Sequence, residues 1–159
     1  MHGLKLNFAK NPSEKAAFEY PRSKNEESII NLEINKFLEK GVISQCDITA
    51  GDYFSNLFVT PKKDGSFRTI LNLKYLNLEC ETYHFKMESI KQVIHMIKPF
   101  SYLASLDIKD AFYAVPIHKS HRKYLKFMWL SIAFVYNVMP NGYADAMRIF
   151  TKLLKPIFS

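Results

Sequence analysis

Residues 105–117 have the sequence SLDIKDAFYAVPI, which we expect to organise the fold. An apolar run, residues 102–106, leads directly into Asp107, and a second carboxylate, Asp110, follows three residues later. This pattern predicts a strand that is buried on both faces and that places Asp107 at its carboxyl end. There the carboxylate either caps the turn after the strand or binds a cation at the edge of the sheet.

The length and composition of the chain indicate a folded domain with a basic surface. Its 159 residues are enough for one domain with a hydrophobic core. Apolar residues make up 48% of the chain and charged residues 23%, a balance typical of folded proteins. The net charge of +7 favours a polyanionic partner such as nucleic acid, although a soluble basic protein without such a partner has the same balance.

The cysteines, the N-terminal region and the hydrophobic runs argue against several classes of protein. Cys46 and Cys80 lack the paired spacing of a disulfide framework or a zinc site. The first fifteen residues contain three lysines and no apolar core, so we expect no secretory signal. The longest apolar stretch, residues 127–139, is shorter than the about 20 residues that span a membrane, and it predicts a buried strand pair. We therefore expect an intracellular protein, in the cytoplasm or the nucleus, with no membrane partner.

Hydrophobic periodicity and turn signals predict the remaining elements. In chain order they are an N-terminal extension at residues 1–24, a helix opened by Asn25 and ended by Gly41, a strand beginning at residues 42–43, strands at 55–61 and 67–73, a turn at 74–78, a helix at 87–98, strands at 124–129 and 133–139, and a helix at 144–158. The last helix carries an apolar stripe made of Met147, Phe150, Leu153, Leu154 and Ile157.

An Asp-Gly pair at residues 64–65 predicts a hairpin between the strands 55–61 and 67–73. Lys62 and Lys63 lie at its tip, and Arg68 begins its second strand. Such a hairpin is either a solvated, lysine-tipped turn or a mobile basic flap that closes over phosphates, because cations neutralise a polyphosphate. The local sequence leaves both interpretations open.

Two histidines, His118 and His121, are three residues apart and would share one face of a helix. No third ligand with a fixed spacing follows them, so a metal site is disfavoured. We expect a basic loop at residues 117–123 that faces solvent or phosphate.

Several separated motifs occur in an order that resembles a known family. They are LEKGVI at 38–43, SNLFVTPKKDGSFR at 55–68, LKYLN at 73–77, LDIKDAF at 106–112, VPIH at 115–118 and MPNG at 139–142. Together they resemble the reverse transcriptase domain of retroelements, in particular Gypsy-like and DIRS-type retrotransposons. The runs at 116–127 and 148–156 are especially similar to the DIRS group. The resemblance extends from about residue 25 to residue 159.

This resemblance implies an α+β fold of the right-hand polymerase type, with an antiparallel sheet and packed helices. The fingers would comprise about 25–81 and 115–143, and an incomplete palm would comprise about 82–114 and 144–159. The implied reaction is RNA-directed DNA synthesis, in which deoxynucleotides are added to a primer 3′ end. The implied partners are an RNA or DNA template-primer and deoxynucleoside triphosphates.

The resemblance also implies roles for individual residues. Asp107 matches the first catalytic aspartate, which binds both magnesium ions of a two-metal mechanism, and the carbonyl of Ile108 would bind one of them. The other matches concern the incoming nucleotide. Arg68 and either Lys62 or Lys63 would hold the triphosphate, Asp110 and Ala111 would contact the triphosphate and sugar, Phe112 would lie under the sugar, and Asn141 would lie near the nucleotide and template.

Two departures from the family pattern bear on activity. The family has a proline after the Pro-x-Gly turn, whereas residues 143–147 read YADAM, with Asp145 inserted. The family's second carboxylate pair lies in a Tyr-x-Asp-Asp turn, and no Asp-Asp dipeptide occurs in this sequence. A lone carboxylate binds hydrated Mg²⁺ weakly, so we expect weak or absent Mg²⁺ binding and little activity from these residues alone. A non-catalytic nucleic-acid-binding remnant or accessory subunit is the alternative.

Overall fold

The computed structural model describes residues 3–81, 83–87 and 89–158 of the chain. Its regular elements, in chain order, are α1 (Lys24–Glu39), β1 (Ile43–Gln45), β2 (Leu57–Pro61), β3 (Phe67–Leu71), α2 (Lys74–Glu79), α3 (Ile90–Met96), 3-10 helices at Ala111–Ala114 and Lys119–Tyr124, β4 (Lys126–Trp129), β5 (Ile132–Tyr136) and α4 (Ala146–Phe158). The mixed α+β architecture that we expected is confirmed.

A three-stranded antiparallel sheet in the order β1-β5-β4 lies at the centre of the fold. Ile43 pairs with Tyr136 across β1 and β5, and Phe127 pairs with Phe134 across β4 and β5. These four side chains are buried, and the two phenylalanine rings stack with their centroids 5.4 Å apart. The buried strand pair predicted from the apolar stretch is therefore confirmed.

Helix α1 packs its apolar face, made of Ile30, Ile34 and Phe37, into the core. We expected Asn25 to open this helix, but Ser23 is its N-cap. The Ser23 hydroxyl accepts a hydrogen bond from the Glu26 amide at 3.3 Å, and the Glu26 carboxylate accepts one from the Ser23 amide at 3.1 Å. This reciprocal capping box satisfies two amides at the helix start and fixes its first turn.

Strands β2 and β3 form the predicted hairpin, with Leu57 paired to Leu71 and Thr60 to Arg68. Our expectation of a turn at residues 74–78 is wrong, because these residues form helix α2. The Leu76 side chain is fully buried, and the Asn77 amide donates to the Leu73 carbonyl at 2.8 Å. Burial of this leucine stabilises a helical turn that the short sequence does not indicate by itself.

The strand expected before Asp107 does not form, and this expectation is wrong. Residues 101–110 are all exposed and contain no strand or helix, and the exposed fractions of Tyr102 and Leu106 are 103% and 73%. A strand is held by hydrogen bonds to a neighbouring strand, and no described strand pairs with this segment. Its apolar side chains consequently remain in solvent.

The helix predicted at residues 87–98 is shorter, spanning Ile90–Met96 as α3, and its apolar residues Ile90 and Ile94 are also exposed. Thr82, where we expected the palm to begin, lies outside the described residues. Glu88, which belongs to the predicted helix at 87–98, also lies outside them.

The N-terminal extension lies against the domain. Leu4 pairs with Ile117 and Phe8 with Cys80, and Leu6 is buried. The Leu6 amide also donates a hydrogen bond to Nδ1 of His121 at 3.1 Å. The extension therefore contributes to the core of the domain.

The two histidines have separate structural roles. His118 Nδ1 accepts from the Ser120 amide at 3.3 Å and caps the 3-10 helix Lys119–Tyr124, which replaces the loop that we expected at residues 117–123. His121 holds the N-terminal segment, as described above. Within the described part of the chain, no group of three or more His, Cys, Asp or Glu residues could hold a metal ion.

Helix α4 begins at Ala146, two residues later than expected. Of the predicted apolar stripe, Phe150 packs edge-on against Phe112 with their centroids 5.7 Å apart, whereas Met147 and Leu153 are about half exposed. The side chain of Ile157 lies outside the described residues. None of the described helices is long and apolar enough to cross a membrane.

A buried ion pair joins strand β4 to the segment that precedes β2. Lys126 Nζ lies 2.6 Å from Asp52 Oδ2 and donates to the Asp47 carbonyl at 2.7 Å. Asp52 also accepts from the Thr49 amide at 2.7 Å and from its hydroxyl at 3.1 Å. Because these hydrogen bonds satisfy both charges, burial of the pair is tolerated.

We expect Lys126→Met to lower the free energy of unfolding by about 3 kcal/mol, because it leaves the Asp52 carboxylate buried without a cation. Urea denaturation measures this change. Lys119→Met removes an exposed lysine as the matched control, and we expect it to change stability by less than about 0.5 kcal/mol. Equal effects of the two substitutions would show that the buried pair does not hold the fold.

Candidate functional site

A cavity of about 360 Å³ lies where helix α1, the β2–β3 hairpin, the first 3-10 helix and the turn before α4 meet. Four parts of the chain that are distant in sequence therefore form its walls. Its lining residues are Glu33, Lys36, Phe37, Lys40, Lys62, Arg68, Thr69, Ile70, Asp110, Phe112, Tyr113, Asn141 and Gly142.

The cavity brings together several of the residues expected to bind a nucleotide. Those that line it are Lys62, Arg68, Asp110, Phe112 and Asn141. The candidates that are not among its lining residues are Lys63, Ala111, Asp107 and Ile108. Of the two hairpin lysines that the sequence could not separate, only Lys62 faces the cavity.

The hairpin turn fixes where its cations lie. The Lys62 amide donates to the Ser66 carbonyl at 2.7 Å, and Gly65 has a φ of 79°, which favours glycine. Asp64 accepts hydrogen bonds from the Ser66 hydroxyl at 2.6 Å and the Ser66 amide at 3.0 Å, and these bonds lower the pKa of Asp64. Hydrogen bonds within the turn therefore fix its shape. Lys62 lies at the start of the turn, and Lys63 lies within it.

Asp110 is held at the cavity wall by an ion pair. It lies in the left-handed backbone region, with a φ of 55°, and precedes the 3-10 helix Ala111–Ala114. Its Oδ2 atom is 2.7 Å from Nζ of Lys40, the C-terminal cap of α1. The hydrogen bond to Asp110, together with the charge of that carboxylate, raises the pKa of Lys40 above its usual value.

Aromatic contacts support the 3-10 helix behind Asp110. Phe112 packs against Phe150 of α4, and Tyr113 packs edge-on against Phe37 of α1 with their centroids 5.7 Å apart. The Asn141 amide donates to the Tyr113 hydroxyl at 3.3 Å. Burial raises the pKa of Tyr113 to about 12, with the nearby negative charges adding to the effect, so this hydroxyl remains protonated at neutral pH.

Asn77 of helix α2 holds the turn that carries Asn141. Its side-chain amide donates to the Gly142 carbonyl at 2.9 Å, and its side-chain oxygen accepts from the Ala144 amide at 2.9 Å. Both ends of one side chain thus secure the turn. Asn77 lies within one of the quoted motifs, but the sequence gave no signal of this contact because its partners are more than sixty residues away.

The inserted acid, Asp145, does not line the cavity. It is buried, and its carboxylate forms an ion pair with Arg148 one turn along α4. The Arg148 guanidinium also lies 4.0 Å from the centre of the Tyr83 ring. The charge of Asp145 is therefore compensated locally, and helix α4 forms without the family's proline.

The charges that line the cavity leave an excess of positive charge. Nζ of Lys36 lies 3.6 Å from Oε2 of Glu33, and Lys40 forms an ion pair with Asp110. Within the residues that the structure describes, no carboxylate lies within 4 Å of the side-chain nitrogens of Lys62 or Arg68. These two unpaired cations suit an anionic ligand. The charged residues from α1 had no signal in the sequence, since only the tertiary fold brings them to the cavity.

A second cavity, of about 350 Å³, has a different character. Lys15, Phe18, Tyr20, Asn56, Asn72 and Tyr75 line it. Lys15 is the only cation among these lining residues, and its Nζ atom lies 5.3 Å and 4.7 Å from the ring centres of Tyr53 and Tyr75. This cavity is aromatic and less basic than the first.

The magnesium ligands implied by the family resemblance do not form a metal site by themselves. Asp107 and Ile108 lie on the exposed segment that precedes the cavity wall. Asp107 supplies one carboxylate. Among the described residues, it belongs to no group of three or more His, Cys, Asp or Glu side chains that could hold a metal. Mg²⁺ requires near-octahedral oxygen ligands, so Asp107 and the Ile108 carbonyl do not by themselves complete a site for a resident ion, and we assign no chemical step to one.

Comparison with known proteins relates this chain to retroelement polyproteins. No protein-family model matches it. The Tf2-3 and Tf2-7 transposon polyproteins of Schizosaccharomyces pombe are each 28% identical to it over 138 residues, which is 87% of this chain and 10% of each polyprotein. The chain thus spans about a tenth of the length of the curated relatives that it matches.

Solved structures show the same fold within a larger protein. Native prototype foamy virus protease-reverse transcriptase has a TM-score of 0.74 and 22% identity, covering 97% of this chain and 21% of that one. A foamy viral protease-reverse transcriptase in complex with dsDNA has a TM-score of 0.74 and 18% identity, covering 99% and 33%. The chain therefore has the fold of part of these proteins, and the expected fold class is confirmed.

Proposed function

We propose that this chain is the fingers and incomplete palm of a retroelement reverse transcriptase, of the Gypsy-like or DIRS type. In this proposal the cavity of about 360 Å³ binds the incoming deoxynucleoside triphosphate. One observation carries it: Lys62 and Arg68, which have no carboxylate within 4 Å among the residues that the structure describes, line the same cavity as Phe112 and Asn141. Cations, an aromatic ring and an amide are the groups that a triphosphate, a sugar and a base require.

Each nucleotide-binding candidate has a proposed role. Lys62 and Arg68 donate charge-assisted hydrogen bonds to the triphosphate. Asp110 and Ala111 contact the nucleotide through their backbone, because the Asp110 carboxylate would repel phosphate. Phe112 packs under the sugar, and Asn141 lies near the base and template. Lys63 is proposed to remain in solvent.

The proposed partners include an RNA or DNA template-primer. The net charge of +7 suits a phosphate backbone, and one foamy viral protein of the same fold was solved in complex with dsDNA. The proposed place of action is the cytoplasm or the nucleus. The division into fingers at about 25–81 and 115–143, and palm at about 82–114 and 144–159, stays a prediction.

Asp107 is the proposed catalytic residue, and with the Ile108 carbonyl it is the proposed Mg²⁺ contact. A two-metal mechanism shares its cations among several carboxylates, and Asp107 alone would hold Mg²⁺ weakly. We therefore propose that these 159 residues by themselves bind nucleotide and nucleic acid but synthesise little or no DNA.

We expect Lys62→Ala to weaken the binding of deoxyguanosine triphosphate (dGTP) about ten-fold, because it removes one charge-assisted hydrogen bond to the phosphates. Isothermal titration calorimetry with dGTP and magnesium chloride measures this change. Lys63→Ala is the matched control, since it removes the same charge from the same hairpin, and we expect it to change affinity less than about two-fold. A loss in Lys63→Ala that equals the loss in Lys62→Ala would contradict the proposed site.

The alternative function, a nucleic-acid-binding remnant or accessory subunit, is favoured by the net charge and by the likeness to a protein solved with dsDNA. In both readings the affinity for a primer-template falls steeply with salt. Only the polymerase reading adds a nucleotide site, so binding of primer-template without any binding of dGTP would favour the alternative.

Primer extension on an RNA template tests the proposed lack of synthesis. We expect the 159-residue chain to bind primer-template, with unchanged affinity in Asp107→Asn, and to extend the primer little or not at all. Robust DNA synthesis that Asp107→Asn abolishes would overturn the proposed inactivity while supporting the proposed catalytic role of Asp107.

A further inference from the structure

We propose that Lys40 is a positioning residue of the cavity, which cancels the charge of Asp110 so that the cavity retains affinity for a polyphosphate. This inference rests on the proposed function and adds a determinant of affinity to which the resemblance assigned no role, although Lys40 lies within the quoted motif at residues 38–43. The ion pair of 2.7 Å between Lys40 and Asp110 carries it, because both residues line the cavity.

Asp110 is the anion that a polyphosphate would meet in the 3-10 helix wall of the cavity. Of the two carboxylates among the lining residues, Glu33 and Asp110, only Asp110 belongs to the wall that also carries Phe112. Its side-chain oxygens make no hydrogen bond to the amides of the helix that follows it. The described cation that compensates its charge is Lys40.

Lys40 reaches Asp110 from the end of helix α1, which forms another wall of the cavity. It is the C-terminal cap of α1, and its own amide donates to the Lys36 carbonyl at 3.1 Å, so the fold of the helix end fixes its backbone. The two residues are seventy positions apart in the sequence. The ion pair therefore ties the segment that carries Asp110 to the end of α1.

The electrostatic consequence follows from this arrangement. With the pair intact, Lys62 and Arg68 act on the ligand without opposition from Asp110. Without Lys40, the Asp110 carboxylate is an uncompensated negative charge beside a ligand that itself carries several negative charges, and like charges at short range repel. The side chains of Lys40 and Asp110 are 50% and 41% exposed, so salt screens this effect.

A double-mutant cycle on dGTP binding, with magnesium chloride and at low salt, tests the inference. We expect Lys40→Met to weaken binding about five-fold, a size typical of one exposed charge interaction acting on a polyanion. We expect the double variant Lys40→Met with Asp110→Asn to bind within about two-fold of the wild type, because both charges are then absent. Lys24→Met, which removes an exposed lysine from the same helix, is the matched control.

A second readout separates charge from structure. The ratio of the dGTP dissociation constants of Lys40→Met and the wild type should fall toward one as salt rises to about 0.5 M, since screening acts on charge and not on packing. Circular dichroism establishes that each variant is folded. A double variant as weak as Lys40→Met, or a ratio that salt does not change, would overturn the inference.

The outcomes also separate this inference from the proposed function. If the wild type binds dGTP and Lys62→Ala weakens it, while Lys40→Met does not, only the role of Lys40 fails. If the wild type does not bind dGTP under these conditions, the proposed nucleotide site fails, and the role of Lys40 fails with it.

Discussion

The buried ion pair between Lys126 and Asp52 fixes the position of the hairpin that carries the candidate site. Lys126 belongs to the central sheet, and Asp52 belongs to the segment that leads into β2. Backbone hydrogen bonds reinforce the junction, since the Ser55 amide donates to the Lys126 carbonyl at 2.9 Å. Two residues later β2 begins, so a charged contact in the core sets where the two-stranded hairpin lies relative to the central sheet. A buried pair that is fully hydrogen-bonded favours one arrangement over its alternatives, because slipping by a residue would strand both charges.

The hairpin becomes a cavity wall only because other parts of the chain meet it. Helix α1 contacts the hairpin and contributes Lys40, the 3-10 helix contributes Asp110 and Phe112, and the turn secured by Asn77 contributes Asn141. Each part is held by its own interactions, namely a capping box, an ion pair and a pair of side-chain hydrogen bonds. The resulting surface combines positive charge with an aromatic ring and an amide, which is the basis for proposing a nucleotide ligand.

The sequence predicted those elements whose signals are local. The Asp-Gly pair placed the hairpin, and the apolar run at residues 127–139 placed β4 and β5, because turn chemistry and burial act within a few residues. The motifs also indicated Lys62, Arg68 and Asn141, which share one cavity in the structure. Which of Lys62 and Lys63 lines the cavity depends on the turn geometry, which includes the hydrogen bond from the Lys62 amide to the Ser66 carbonyl.

The expectations that failed depend on partners distant in sequence. Residues 102–106 have the composition of a buried strand, but a strand needs a neighbour to bond with, and the described strands do not supply one. Helix α2 forms because Leu76 is buried in the tertiary fold. Lys40 gave no signal, since its partner is seventy residues away. Local patterns therefore predicted the framework, and the family resemblance indicated five of the thirteen lining residues, whereas the charge balance of the cavity required the folded structure.

Nuclear magnetic resonance of the side-chain groups locates the ligand without any substitution. Titration of dGTP with magnesium chloride into the ¹⁵N-labelled chain should shift the Arg68 Nε–H and Asn141 side-chain amide signals most strongly, because both groups line the basic cavity. The side-chain amides of Asn56 and Asn72, which line the aromatic cavity beside Lys15, should change little. The largest shifts at Asn56 and Asn72, with Arg68 and Asn141 unchanged, would contradict the proposed nucleotide site.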